Sequence, residues 1–532
     1  MTDIQGEISA EAAGGLDLWR TLALAGPKAT AEALNESDLR RMHIASSLDD
    51  FVIKLVERGI SIVLTGNAGD GKTHALKFAA PQLRDAGAVV IEDATAEMRR
   101  GDPSRVLAKW REAAANGQPF CLAINEYPLY QLRTTAPDFP PLAETWQQCR
   151  NRLTYEPAAD TSTTTNLVVV DLSLRNPLAP DFVDAVLNAI LSDQGFLVAI
   201  AENPTGAPAE NAAKLRDPRV RQRLRETLAR AVALGARATV REIWILVARM
   251  VIGSGTKHDY TRSDWYFEAL FASGVFTRSE ALLRALDPAS CSHPRWDSIL
   301  EAGLSEIDSG WRFARPPVPP QPRLDDTVFA WLKRAFYFEH EEGAAAIELA
   351  DPEAVEFRDL LEGVRSGRQS VASIVDAINA AYCPARFSGR EHHLYLWSGH
   401  RFHEQPSRSF VATERIGVDD LRLEPPRLPQ LVSGAFDFHA DHLMLVAPTR
   451  GGTRLRIDYP LFRTLRRLGR GLPRKLMPER EVHRLDAFLE KLGAERAGTS
   501  DTIWSVHLEH MQVLTIGLSP DHRCYDSVRA DA

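Results

Sequence analysis

The sequence predicts the α/β class: a parallel sheet in the first half of the chain, a helical unit behind it, and a mixed α+β region at the C-terminal end. Three observations carry this. Four short apolar runs, "SIVLT" from Ser61, "AVVIEDAT" from Ala88, "PFCLAINE" from Pro119 and "NLVVVDLSLRN" from Asn166, read as strands, with helical patterns between the first three. They are apolar almost throughout, so both faces of their sheet must be covered, as in a βαβ arrangement. From about residue 212 to 275 the pattern turns helical around "LRETLARAVALGARATVREIWILVARMVIG", and past residue 390 short strand-like runs such as "HHLYLW" and "HLMLVAP" appear before a helix at Glu479 to Leu492.

The expected organisation is a helical lead-in over 1–55, a sheet core over 56–205 and a helical lid over 206–310. A proline-rich linker follows over 311–324, with "RPPVPPQPR" as a stiff connector, then a helical region over 325–390 and an α+β domain over 391–532. At 532 residues the chain is too long for one ordinary core. With 44% hydrophobic and 25% charged residues it matches a globular protein rather than a disordered or fibrous one. Five cysteines without a CxxC pair argue against a zinc ribbon or a disulfide framework and read as apolar fillers. The opening "MTDIQGEISAEAAGG" lacks a basic start and an apolar run, and no stretch is apolar enough to span a bilayer, so a cytoplasmic location without a membrane partner is expected. A net charge of −8 means that any polyanionic partner must be met by a local patch.

The chemistry concentrates at "GNAGDGKT", Gly66 to Thr73, which satisfies GxxxxGK[ST] with a strand before it and a helical pattern after it. This is the phosphate-binding loop of a P-loop NTPase. Glycines let backbone N–H groups turn toward phosphate, and the helix N-terminus adds its positive end. Lys72 would reach the β- and γ-phosphates and Thr73 would ligate Mg²⁺. Gly66, Asn67, Ala68, Gly69, Asp70, Gly71, Lys72, Thr73 and the following His74 form the expected ATP-contacting set.

Such a loop needs an acidic strand end beside it. Two compete: "CLAINE", ending in Asn125 and Glu126, and "LVVVD", ending in Asp171. By strand order the first corresponds to the third strand of AAA+-type ATPases, one strand removed from the P-loop strand, where Glu126 would activate water. Asn125 then replaces the usual aspartate and contributes no charge to Mg²⁺, leaving Asp171 as helper or as the main acid. Asp93, after the second strand, is a weaker candidate. In "ATVREI" Thr239 suits an N-cap with Glu242 three residues on, and Arg241 lies in the first helical turn, where an AAA+ lid carries its sensor arginine. A solvated helix arginine has the same spacing.

The stretches "LTGNAGDGKTH", "AINE", "DLSLRN" and "ATVREI", in that order, together with "YFEALF", "LDPAS", "LKRAFYFE" and "IDYPLFRTL", resemble the ATPase of phosphorothioation-dependent DNA restriction systems, the DptF-type family, over about residues 40 to 490. The resemblance implies an AAA+-like ATPase that works with co-encoded restriction proteins in bacterial antiviral defence and has no nuclease activity of its own. It maps the catalytic glutamate to Glu126, the lid arginine to Arg241, and a polar group at the end of the fourth strand to Ser173 or Asn176.

Three further charge features invite readings. Residues 442–478 hold nine Lys/Arg against Asp458 alone, with Arg463, Arg466, Arg467 and Arg470 at helical spacing; DNA backbone is the candidate partner, a solvated face or a subunit surface the alternative. Arg219, Arg221, Arg223 and Arg225 could supply an arginine finger in a homo-oligomer, or ordinary helix-surface charge. His392, His393, His400 and His403 lack a recognised metal-ligand spacing. Two functions from different classes follow: an ATPase controlling a DNA-processing defence complex, or a nucleotide-switched regulatory scaffold with slow turnover, which Asn125 would permit.

Overall fold

The computed structural model describes residues 16–24, 36–98, 102–153, 166–253, 265–272, 274–292, 326–341, 352–365, 371–383, 393–397, 409–426, 439–495, 502–507, 512–519 and 525–531, with single positions at 294, 297–298, 343, 432 and 434–435. The proline-rich linker over 311–324 and His392, His400 and His403 lie outside the described residues. The chain forms two compact units: Met1–Val232 with Ala236–Ala350 and Arg427–His439, and Ala233–Gly235 with Asp351–Pro426 and Ala440–Ala532.

After a helical stretch over 16–24, the first unit continues with helices α1 (Glu36–Arg41) and α2 (Ser47–Glu57). Strand β1 (Ser61–Thr65), helix α3 (Lys72–Asp85), β2 (Val89–Ile91), α4 (Ala94–Glu97) and α5 (Ser104–Ala115) follow, then β3 (Phe120–Ala123), α6 (Glu126–Thr135), α7 (Pro140–Leu153) and β4 (Leu167–Asp171). The four strands make one parallel sheet in the order β2-β3-β1-β4. Its burial explains the continuous apolar runs. Ile62 and Leu64 face a core with Leu48, Val52 and Leu55 of α2, and Leu76 and Leu83 of α3; Val63 between them faces a second core with Trp110, Phe120, Leu129 and Leu132. Val432 and Ala435, from far along the chain, join the first of these cores.

One expectation is corrected. The third strand is not one position removed from β1: β3 pairs with it directly, Ile62 opposite Cys121 and Leu64 opposite Ala123, while β4 occupies the other side with Thr65 opposite Asp171. The ends of β3 and β4 therefore flank the glycine turn from opposite sides.

After β4 the chain continues through α8 (Pro180–Leu191), α9 (Gln194–Glu202), α10 (Ala207–Arg216), α11 (Pro218–Ala233), α12 (Val240–Ile252), α13 (Tyr266–Phe271), α14 (Glu280–Ala285) and α15 (Asp326–Glu339). Helix α12 is buried nearly all round, as the run "IWILVARMVI" requires. Helix α15 belongs here rather than to a separate domain: Arg334 bridges Glu268 and Asp287, and Glu339 receives Lys214.

The second unit contains α16 (Pro352–Arg365), α17 (Ala372–Tyr382), β5 (His393–Trp397), β6 (Ser409–Gly417), β7 (Arg422–Glu424), β8 (His442–Ala447) and β9 (Thr453–Asp458). After these come α18 (Tyr459–Gly469), α19 (Glu479–Ala494), β10 (Thr502–His507), β11 (Gln512–Leu518) and β12 (Tyr525–Asp531). It holds an antiparallel sheet in the order β12-β11-β10-β6-β5 and a three-stranded sheet, β7-β8-β9. The region expected as one helical piece over 325–390 thus divides between the units. Among the described residues no single helix is long and apolar enough to cross a membrane.

Candidate anion-binding site

Past Thr65 the chain turns through glycines into α3. Gly66, Gly69 and Gly71 have φ values of 136°, 93° and 90°, where side chains are strained. Space is also lacking. A Cβ on Gly66 would lie 3.0 Å from the Ser173 amide nitrogen, and one on Gly69 would meet Thr239 Oγ1 at 3.2 Å and Arg241 Cβ at 3.3 Å. The turn is pressed between the end of β4 and the start of α12.

Lys72, only 6% exposed, donates from Nζ to the carbonyl oxygens of Gly66 at 3.0 Å and Asn67 at 2.5 Å. Carbonyl dipoles solvate an ammonium without cancelling its charge. Burial holds the Lys72 pKa below its ordinary value, while the carboxylates of Asp70, Asp171 and Asp93 act to raise it and Arg241 to lower it. Asp70 Oδ2 accepts the Asn67 amide at 2.6 Å, which braces the turn. Burial is the largest influence on this carboxyl and, with Asp171 adding, lifts it to about 6 against the Asn67 amide and Lys72.

Two helix N-termini converge here. Helix α3 begins at Lys72, and α12 begins at Val240 with the Arg241 amide donating to the Gly69 carbonyl at 3.1 Å. Both positive helix ends, a buried lysine and Arg241 thus gather around one turn.

Asp171 stands at the end of β4 with Oδ1 accepting the Ser173 amide at 3.0 Å. Asn125 is half-buried at the N-cap position of α6, and Glu126 is exposed at that helix's first position. Asp93 caps α4, accepting from the Thr95 and Ala96 amides at 2.8 and 3.1 Å. Asn176, the polar residue the resemblance offers near the end of the fourth strand, is buried and hydrogen-bonded at both ends of its amide. At 4% exposure its Nδ2 donates to the Ala236 carbonyl at 2.8 Å and its Oδ1 accepts the Leu178 amide at 3.3 Å, so its side chain ties the β4 end to the approach to α12.

His74 is joined to the lead-in helices. Its Nε2 lies 3.4 Å from His43 Nδ1, His43 Nε2 lies 3.4 Å from Asp49 Oδ2, and the His43 ring stacks on Phe78. Burial, then the charge of His43, pushes the His74 pKa down to about 4. Neither His43 nor Asp49 carries a local signal in the sequence, and the same holds for Arg237, which donates to the Ser173 carbonyl at 3.0 Å.

No group of three or more His, Cys, Asp or Glu able to hold a metal occurs among the described residues. A hydroxyl and a carboxylate, the donor types of Thr73 and Asp171, are oxygen ligands of the kind Mg²⁺ takes.

The other arginine clusters are engaged internally. Arg463, Arg467 and Arg470 of the α18 segment reach Glu353 at 3.2, 3.5 and 3.1 Å, and Arg466 reaches Glu356 at 2.7 Å. In α11, Arg219 pairs with Glu341, Arg221 and Arg225 with Asp184, and Arg223 with Glu226. An arginine finger from this run would first have to leave those partners.

No protein-family model, curated protein or solved structure matches this chain.

Proposed function

We propose that the chain is a P-loop ATPase, AAA+-like in its lid arginine though not in its strand order, that binds MgATP at the Gly66–Thr73 turn and acts with co-encoded partners in a phosphorothioation-dependent DNA restriction system. The observation that carries the nucleotide reading is Lys72: a buried lysine whose hydrogen bonds go to the Gly66 and Asn67 carbonyls while the Asp70, Asp171 and Asp93 carboxylates act on it from further off, at the meeting of two helix N-termini, in a turn where Gly66 and Gly69 leave no room for a side chain. A polyphosphate supplies what that arrangement lacks. The assignment to restriction rests on the resemblance of the stretches quoted above.

In this reading the turn amides and Lys72 bind phosphate oxygens, and Thr73 with Asp171 supports Mg²⁺. Arg241, beside Gly69, faces charge developing on the terminal phosphate, and Glu126 at the β3 end orients water. Lys72→Ala is expected to reduce ATP turnover by at least about 10²-fold while the thermal transition remains cooperative, because a charge contact is lost and no core packing. A folded Lys72→Ala protein with unchanged turnover would remove the assignment.

Asn125 favours a second reading. A neutral amide at the β3 end supports Mg²⁺ and water poorly, as expected for a nucleotide-switched scaffold that hydrolyses slowly. Single-turnover rates separate the two: chemistry slower than nucleotide exchange describes a switch.

A further inference from the structure

The start of α12 is fastened far more tightly than a helix cap requires. Glu242 is only 7% exposed, and both of its carboxylate oxygens are in use. Oε2 accepts from the Thr239 amide at 2.7 Å and the Thr239 hydroxyl at 3.0 Å, which is the capping box that the spacing predicts. Oε1 accepts from the Thr277 amide at 2.8 Å and from the Thr277 hydroxyl, thirty-five residues away. A second clamp lies just upstream. Ser279 Oγ receives the Arg237 amide at 2.7 Å and donates to the Arg237 carbonyl at 2.5 Å. Positions 237 and 242 are therefore held by the 277–279 segment and position 239 through Glu242, while position 241 donates its amide to the Gly69 carbonyl.

We propose that Glu242 is a positioning residue for Arg241, fixing it against the glycine turn and tying the nucleotide site to the 277–279 segment. The proposal rests on the nucleotide reading above. A cap needs only the Thr239 bonds; the two bonds to Thr277 are the surplus that the proposal explains. A buried carboxylate with four donors is a stiff support, because displacing it strands several polar groups at once. Stiffness matters at this place, since a small displacement of a group that stabilises transition-state charge costs rate far more than it costs binding.

The experiment measures ATP affinity and turnover for wild type, Arg241→Ala, Glu242→Gln and the double variant, with thermal midpoints for each. The amide of Glu242→Gln presents a donor where one carboxylate oxygen accepted. The expected result is a fall in turnover of about 10-fold or more for each single variant with affinity changed by less than about threefold, and no further loss when Glu242→Gln is added to Arg241→Ala. Thr277→Val, which removes one hydroxyl from the clamp, is the milder probe if Glu242→Gln fails to fold; it should lower turnover by a few-fold in the Arg241 background of the wild type and leave Arg241→Ala unchanged. Losses that multiply in the double variant, or that track the thermal midpoint alone, would make Glu242 a stability residue and overturn the proposal. A wild-type chain that neither binds nor turns over ATP would overturn the nucleotide reading itself, whereas normal turnover in Arg241→Ala beside impaired Glu242→Gln would overturn this inference and leave that reading standing.

Discussion

The glycine turn of the first unit and the arginine face of α18 in the second both gather positive charge, yet they treat it oppositely. At the turn, Lys72 makes its direct contacts with carbonyl oxygens. On α18, four arginines share two carboxylates, Glu353 and Glu356, more than a hundred residues earlier in the chain. The first arrangement sets carbonyls against the ammonium and keeps its carboxylates out of direct contact; the second pairs charge with charge and holds α16 against α18. A basic run in a sequence therefore says little about a polyanion until the acids that fold against it are known.

The largest expected effect tests the chemistry at the turn. Glu126→Gln should keep ATP affinity and lower turnover about 10²-fold if the exposed carboxylate at the β3 end orients water. Asp171→Asn should instead weaken Mg²⁺-dependent binding, because it removes the negative charge proposed to support the metal. Normal hydrolysis in the Glu126 variant would move the role to Asp171, whose strand is the other neighbour of β1.

A second test converts one region into the likeness of the other. Replacing Glu353 and Glu356 with glutamine should release the α18 arginines, so that a salt-sensitive affinity for DNA backbone appears in the variant and exceeds that of the wild type. The same change should destabilise the second unit by about 1–2 kcal/mol, since the arginines are half exposed and keep water when the buried Glu353 and the half-exposed Glu356 lose their charge. Filter binding over a salt series checks the first part and thermal unfolding the second. Equal, steep salt dependence in wild type and variant would show that the arginines already serve DNA.

Much of this was legible in sequence. The bounds of β1 and the glycine turn followed from a short apolar run stopped by glycines, and the start of α12 from Thr239 and Glu242, because these are local signals. The position of β3 directly beside β1 was not, since strand order is set by tertiary packing. Nor were the partners of Arg463 to Arg470, the closure of Asn176 onto Ala236, or the return of Val432 and Ala435 to the sheet core. Each depends on residues far apart in the chain.

The smallest expected effect is a pair of opposed pH slopes within the turn. The Asp70 pKa is raised to about 6, so the folded state holds the proton more tightly than the unfolded one, and Asp70 lowers stability as pH rises from about 4 to 6. The His74 pKa is depressed to about 4, so the unfolded state takes the proton first, and His74 lowers stability as pH falls from about 6.5 to 4. The two oppose each other over nearly the same window. Relative to wild type, Asp70→Asn should lose more stability on acidification and His74→Gln less, as denaturant midpoints between pH 4 and 7 would reveal. Parallel midpoints in all three proteins would contradict both shifts.

In the nucleotide reading, the charge at the turn serves a polyphosphate. The most direct measurement of this is a calorimetric titration of the folded full chain with MgATP and, separately, with inorganic tripolyphosphate, for wild type and Lys72→Ala side by side. Wild type should bind both ligands, and Lys72→Ala should lose at least about tenfold in affinity for each, as expected when a charged contact to phosphate is removed. Wild-type protein that binds neither ligand, or a Lys72→Ala variant that binds both as wild type does, would contradict that reading.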